Sequence, residues 1–279
     1  MAYTKNREIG EIIGVHWAMR IGLSMLFCIG EPFKAVIRRL DKINVEHVEI
    51  VDEGPHSLSS RRINMLRRAL ATRDLSLSVH APFADINIAS TSPTIRYAIM
   101  KRLKKSIALS AQLNPEYWVF HPGIQSAIGD ALPNLDWEIN LRSIRELLRE
   151  ARRYNLKITI ENVPDPFPFL LKRVDEFEKL YESLGDDGED LGITFDVGHA
   201  NINGQIDEFI KRFRDKIVHT HLHDNNGDSD SHLGIGFGRI DWIRVISALK
   251  EANYRGALTI ESKDNIEESI QTLKKILSK

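Results

Sequence analysis

The chain has 279 residues, enough for one large α/β domain and requiring no second one. Lys and Arg total 38 against 39 Asp and Glu, so no global field draws the molecule to nucleic acid or anionic lipid. That balance favours a small-molecule substrate and leaves room for a local basic groove, while a single cysteine, Cys28, excludes an internal disulfide framework and suits a reducing compartment.

Residues 1–18 spread Lys5, Arg7, Glu8 and Glu11 through short apolar stretches, so they lack the continuous core of a signal peptide and read as an N-terminal extension. Residues 19–279 read as one domain. No apolar run reaches the roughly 20 residues that span a bilayer. The expectation is a cytoplasmic protein with no membrane partner, and assembly as a homo-oligomer is left open.

Strand-then-helix units follow in order. A strand near Met19 to Leu26 precedes a helix near Pro32 to Ile43, and Val45 to Val51 precedes a helix near Ser59 to Ala71. Leu75 to Ala81 is the third strand. Its helix opens at Ser92-Pro93, a capping Ser with Pro at the first helical position, and Ile95, Ile99, Leu103 and Ile107 then recur along one face opposite Arg96, Lys101, Arg102 and Lys105. Tyr117 to Phe120 is followed by a helix with Leu141, Ile144, Leu147, Leu148 and Ala151 on its apolar side. Lys157 to Ile160 leads to a helix over Leu170 to Leu184, and a polar Gly185-Asp186-Asp187-Gly188 turn enters the strand Gly192 to Phe195. A helix near Ile206 to Phe213, a strand Ile217 to Leu222 and a long polar loop come next. Helices near Trp242 to Ala252 and Ile266 to Leu277 bracket the last strand, Ala257 to Ile260. Such alternation predicts a single (β/α)8 TIM barrel, with an open doubly wound sheet as competitor. The competitor loses weight because no Gly-x-Gly-x-x-Gly follows the first strand.

A parallel barrel gathers the C-terminal ends of its strands on one face, where chemistry is built. Glu161 in ITIENVP, Asp196 in ITFDVGH, His221 in VHTHLHDN and Glu261 in LTIESK all close apolar runs. Carboxylates placed there are costly to desolvate without a cation or hydrogen-bond donors, and Lys263 and Lys172 are the strand-end cations that could serve instead of a metal. Three carboxylates and one imidazole form a site suited to Mn²⁺, Co²⁺, Zn²⁺ or Mg²⁺. His80 and His121 end two earlier runs and would ligate a second metal or hydrogen-bond substrate. Alternation places His219, His221 and His223 on one strand face, with His219 expected within the barrel and His223 toward substrate or solvent. Asp230 and His232 form a further metal-capable pair or a turn. His199 can face the cavity with Asp196, the intervening Gly198 allowing close backbone approach. Glu49 could reach the pocket, but a rim salt bridge is its expected use. His16 and His56 lie outside the strand-end set, so their substitution is expected to be close to neutral. The Arg38-Arg39, Arg67-Arg68 and Arg152-Arg153 pairs read as solvated helix faces.

Together the strings VEIVDEG, VHAPF, HPG, ENVP, FDVGHAN, HLHDN, DSHLGIG and TIES resemble the xylose isomerase-like barrel superfamily, which joins sugar and sugar-phosphate isomerases and epimerases to the endonuclease IV family. For the epimerase branch the resemblance implies one divalent metal on Glu161, Asp196, His221 and Glu261. Glu161 and Glu261 would also be the catalytic acid/base pair working through an enediolate, and His199 would bind substrate. For the nuclease branch it implies clustered zinc on His80, His121, Glu161, Asp196, His199, His221, Asp230, His232 and Glu261, acting at apurinic sites. The HLHDNNGDSDSHL loop resembles the sugar branch, and RIGLSMLF lacks the Gly-rich opening of the nuclease. Gly234-Ile235-Gly236 stands where relatives often have Gly-Glu-Gly, a departure consistent with changed substrate contacts or with a catalytically silent metal- or ligand-binding barrel.

Overall fold

The computed structural model describes residues 19–129 and 131–278. Strands β1 (Arg20–Ser24), β2 (His47–Val51), β3 (Ser76–His80), β4 (Tyr117–Phe120), β5 (Ile158–Glu161), β6 (Leu191–Asp196), β7 (Ile217–Leu222) and β8 (Ala257–Ile260) form a closed barrel in chain order. Every pairing is parallel, and β8 closes on β1 through Arg20↔Ala257 to Leu23↔Ile260. The barrel expected from the sequence is therefore the fold. The proposed extension, residues 1–18, lies outside the described residues, as does His16.

Helices α1 (Phe33–Leu40), α2 (Ser60–Leu70), α3 (Pro93–Ser110), α4 (Leu135–Arg153), α5 (Val174–Leu184), α6 (Val197–Ile202), α7 (Ile206–Phe213), α8 (Trp242–Glu251) and α9 (Ile266–Leu277) join the strands. The period of two in each strand sends alternate side chains to opposite faces. On the outer face Ile158, Ile160, Ile193 and Phe195 enter the apolar core beneath the helices. There Phe195 stacks on Phe209 of α7 at 5.2 Å between ring centroids, and Phe177 of α5 meets Phe209 edge-on at 5.1 Å. Burying one such ring contributes about 1.5–3 kcal/mol.

The lumen is different. Barrel interiors are commonly filled by branched aliphatic side chains, but here Ser24, His47, Glu49, Ser78, Thr159, Thr194, His219 and Thr259 are buried polar residues of the strands. Thr159 and Thr194 share a hydrogen bond of 2.6 Å between neighbouring strands. Contacts from β2 to β7, such as His47 with His219 at 5.3 Å between rings, cross the lumen. A polar interior has consequences for the site above it.

Two local expectations need correction. Ile95 is 56% exposed, so the apolar face of α3 begins at Ile99. Ser92 precedes α3 without a side-chain capping bond, and its carbonyl takes the Arg96 N–H instead. Arg102 of α3 reaches the buried Asp52 carboxylate at 2.7 Å, while Asp52 also accepts from the Leu58 N–H at 2.6 Å.

Candidate metal centre at the strand ends

Glu161 is the last residue of β5, Asp196 the last of β6, His221 lies near the end of β7, and Glu261 follows β8 directly. One potential ligand atom from each falls within 4.8 Å of the others, and all four residues are buried. His221 Nδ1 lies 3.2 Å from Glu161 Oε2 and 3.4 Å from Glu261 Oε2. The structure thus brings the four principal residues of the sequence reading together.

Their hydrogen-bonding state tests whether they suit a cation. Glu161 Oε2, Asp196 Oδ2 and His221 Nδ1 are buried without a hydrogen-bond partner. Buried polar atoms are nearly always satisfied, so a convergent group of orphaned oxygen and nitrogen atoms is the pattern a divalent ion would complete. The residues fit the metal. Lys172, offered by the sequence as a neutralising cation, is bound to Asp165 at 2.6 Å.

Around this centre Glu161 faces four imidazoles. His80 Nε2 and His121 Nε2 lie 3.4 and 3.3 Å from Oε2, and His199 Nδ1 lies 3.4 Å from Oε1. Backbone carbonyls orient the rings. His80 Nδ1 donates to Ala81 O at 2.8 Å, His199 Nδ1 to Asn162 O at 2.8 Å, and His232 Nδ1 to Glu261 O at 2.7 Å. With Nδ1 spent on a carbonyl, each ring turns Nε2 toward a carboxylate, Glu161 for His80 and Asp230 for His199 and His232, and Nε2 is the atom that would ligate a cation once it gives up its proton.

A second cluster stands beside the first: His199, His223, Asp230 and His232, with ligand atoms again mutually within 4.8 Å. Asp196 links the two. Its carboxylate caps α6 by accepting the His199 N–H at 2.7 Å, and the same oxygen lies 3.2 Å from His223 Nε2. Asp230 approaches His199, His223 and His232 at 3.5, 3.6 and 3.3 Å. Asp230 and His232 thus stand against His199 and His223.

Charge follows these contacts. Burial resists ionisation of Glu161, but His221 and His121 outweigh it and hold the carboxyl well below its usual range. Burial also opposes a charge on His221, yet Glu261, Glu49 and Glu161 hold that imidazole well above its ordinary value. For Glu261 burial wins, pushing the carboxyl up to about 7. Two carboxylates of one site thus differ in proton affinity because their imidazole neighbours differ.

Two residues of the centre were misplaced by the sequence reading. Glu49 makes no rim salt bridge. It is fully buried in the lumen, with Oε1 3.0 Å from His221 Nε2 and Oε2 3.1 Å from His219 Nε2. His223, expected toward substrate or solvent, is fully buried against Asp196. The His-x-His-x-His alternation was the available signal for His223. His219 lies within the barrel as expected.

The Gly234-Ile235-Gly236 departure has a structural use. Ile235 is buried, the Gly236 N–H donates to Asp224 Oδ2 at 2.9 Å, and Asp224 also takes the Trp242 indole N–H at 2.8 Å. Asp224 thereby ties the loop that carries Asp230 and His232 to α8. Among the described residues no helix is long and apolar enough to cross a membrane.

Comparison with known proteins agrees with this architecture. A family model described as xylose isomerase-like TIM barrel matches residues 37–276. The chain is 35% identical over 258 residues to the uncharacterized protein MJ1311 of Methanocaldococcus jannaschii, covering 91% of this chain and 87% of that protein. The crystal structure of a D-tagatose 3-epimerase-like protein superposes with a TM-score of 0.86 at 34% identity, covering 93% of this chain and 97% of that one. A D-psicose 3-epimerase crystallised in the presence of D-fructose shares the fold at a TM-score of 0.71 and 16% identity, with 93% and 95% covered. The chain belongs to the xylose isomerase-like TIM barrel family.

Proposed function

We propose that this protein is a divalent-metal-dependent isomerase or epimerase of a small sugar or polyol derivative, acting through an enediolate. The observation that carries the reading is the convergence of Glu161 and Glu261 on His221 Nδ1, at 3.2 and 3.4 Å, with Glu161 Oε2 and His221 Nδ1 unsatisfied. Glu161, Asp196, His221 and Glu261 would hold the ion, Mn²⁺, Co²⁺, Zn²⁺ or Mg²⁺. When bound it supplies positive charge that stabilises the anion formed as a carbon-bound proton leaves. Glu161 and Glu261 flank the reacting carbon, one removing its proton and the other returning a proton from the opposite face. Positioned proton transfer of this kind contributes about 10²- to 10⁴-fold. His80 and His121 each keep Nε2 near Glu161 for a substrate hydroxyl.

Substrate class is suggested by relatives. The similar crystal structure carries the name D-tagatose 3-epimerase-like, and fold neighbours are described as D-psicose and L-ribulose 3-epimerases. The test is turnover of D-tagatose, D-psicose, D-fructose and L-ribulose by purified protein with each ion, followed by chromatography. Interconversion at carbon 3 that stops with chelator supports the proposal. Inertness toward free and phosphorylated ketoses with every ion defeats it. Buried Cys28 and the absence of membrane-spanning helices among the described residues fit a cytoplasmic small-molecule enzyme.

One observation favours a second reading, an apurinic-site endonuclease with clustered zinc. The His199, His223, Asp230 and His232 group adds to the primary one, and His80, Glu161 and His221 make a third. Metal stoichiometry separates the two: one ion per chain fits the epimerase and three fit the nuclease.

A further inference from the structure

Charge is balanced over the whole chain but not around the barrel. Helices α1, α2 and α3 contain no Asp or Glu, whereas α4, α5, α7, α8 and α9 each carry at least one. The three stand side by side, because they follow consecutive strands of a ring closed in chain order. Lys34 and Arg38 share the outer face of α1, Arg61 and Arg68 that of α2, and Lys101 and Lys105 that of α3, at helical spacings of four or seven. All six are exposed, and among the described residues none of their side chains has a hydrogen bond or an ion pair. Three carboxylates that border the face are taken: Glu31 by Arg39, Asp52 by Arg102, and Glu146 by Arg96 and Lys104. Asp41 and Asp74 stand in the turns past the ends of α1 and α2. Like charges on one helix face repel, so nothing within the fold calls for this arrangement.

We propose that the outer face of α1 to α3 is a docking surface for the phosphate backbone of a nucleic acid, held without regard to base sequence and apart from the strand-end site. The proposal is independent of the sugar reading. A polyanion supplies the counter-charge that the fold withholds, and the forked guanidinium of Arg38, Arg61 and Arg68 can pair two phosphate oxygens at once. Contacts to phosphate alone position a protein and carry no sequence information. A lipid surface fits less well, since binding to it buries apolar side chains. None of the exposed large ones lies on α1 or α2, and on α3 only Ile95 and Tyr97 stand out, in the first turns. A second copy of the chain fits less well too. On the opposite flank Glu178, Asp187 and Asp207 are already paired with Arg212, Arg152 and Arg244.

The test is fluorescence anisotropy of labelled random-sequence duplex DNA and single-stranded RNA, neither with an abasic site, titrated with full-length protein over a series of salt concentrations. Wild type is expected to bind at low salt, with log affinity falling linearly in log salt. Arg61→Ala/Arg68→Ala and Lys101→Ala/Lys105→Ala should each weaken binding and flatten that slope by about two, roughly one per phosphate contact removed, while circular dichroism stays wild type. Lys211→Ala/Lys250→Ala takes the same charge from α7 and α8 and should bind as wild type does. Lack of binding to either probe by wild type, or equal losses in all three variants, would overturn the proposal. It would equally fall if phosphatidylserine vesicles captured the protein where the nucleic acids did not, or if the face proved to hold a second copy, seen as self-association in sedimentation velocity that Arg61→Ala/Arg68→Ala abolishes.

Discussion

The backbone of Gly198 lies against the imidazole of His223: a Cβ built at position 198 would come within 2.1 Å of Cε1 and 2.5 Å of Nδ1. The side chain missing from α6 is what lets His223 reach Asp196. Gly198→Ala is expected to displace the ring and to destabilise the protein by about 1–3 kcal/mol, the usual cost of overpacking. A thermal melt checks this. An unchanged midpoint would mean that the ring has room to move.

Glu161→Gln and Glu261→Gln are each expected to abolish turnover while the fold persists, because both groups would hold metal and move protons. Circular dichroism and a turnover assay on the true substrate decide the matter. Near wild-type activity in either variant would remove that residue from the mechanism.

Arg102→Ala should destabilise the barrel by about 1–3 kcal/mol, discounted for the partial exposure of the guanidinium, because it strands the buried Asp52 carboxylate. Adding Asp52→Asn should recover part of the loss, since the amide oxygen can still accept from Leu58. Urea melts of the single and double variants measure the coupling. Strict additivity would show that the pair contributes nothing.

His56→Ala shows where burial overrides a reading by position. The sequence places His56 outside the chemistry and expects a neutral change, but its ring is buried, bonds Glu31 O through Nε2 at 2.9 Å and meets Phe33 edge-on at 6.0 Å. A loss of about 1–3 kcal/mol is expected, with metal binding intact. A denaturant melt paired with a metal titration checks both parts.

Strand-end chemistry was legible because an acidic or imidazole residue directly after an apolar run has few reasons to be there. Glu161, Asp196, His221 and Glu261 follow that rule, and they converge. Glu49 was assigned to a rim salt bridge in preference to the pocket because it sits within β2, where one strand's alternation cannot distinguish a lumen from a rim. Its partner His219 is 170 residues away. The helix α6 escaped notice for a local reason: Val197–Ile202 is a short run containing Gly198, and its start is fixed by the Asp196 side chain that the sequence assigns to metal. Ile95 had helical periodicity but stands at the exposed start of α3, before the helix settles on its neighbours.

Removing metal should lower thermal stability as well as activity, since the convergent carboxylates then lose their counter-charge. An ion at 100 times its Kd contributes about 2.7 kcal/mol, which for a chain of this size corresponds to roughly 5–10 °C in Tm. Scans of chelated protein with Mn²⁺, Co²⁺, Zn²⁺ or Mg²⁺ restored are the check. No shift with any of them would mean that the site needs no cation.

The most direct test of the central claim is turnover in D₂O. Proton removal by one of Glu161 and Glu261 and return by the other exchanges one carbon-bound hydrogen with solvent, so NMR of the recovered ketose should show deuterium at a single carbon, dependent on metal and absent in Glu161→Gln. No label in any ketose, together with efficient metal-dependent nicking of duplex DNA at abasic sites that is lost in His232→Ala, would contradict the epimerase account.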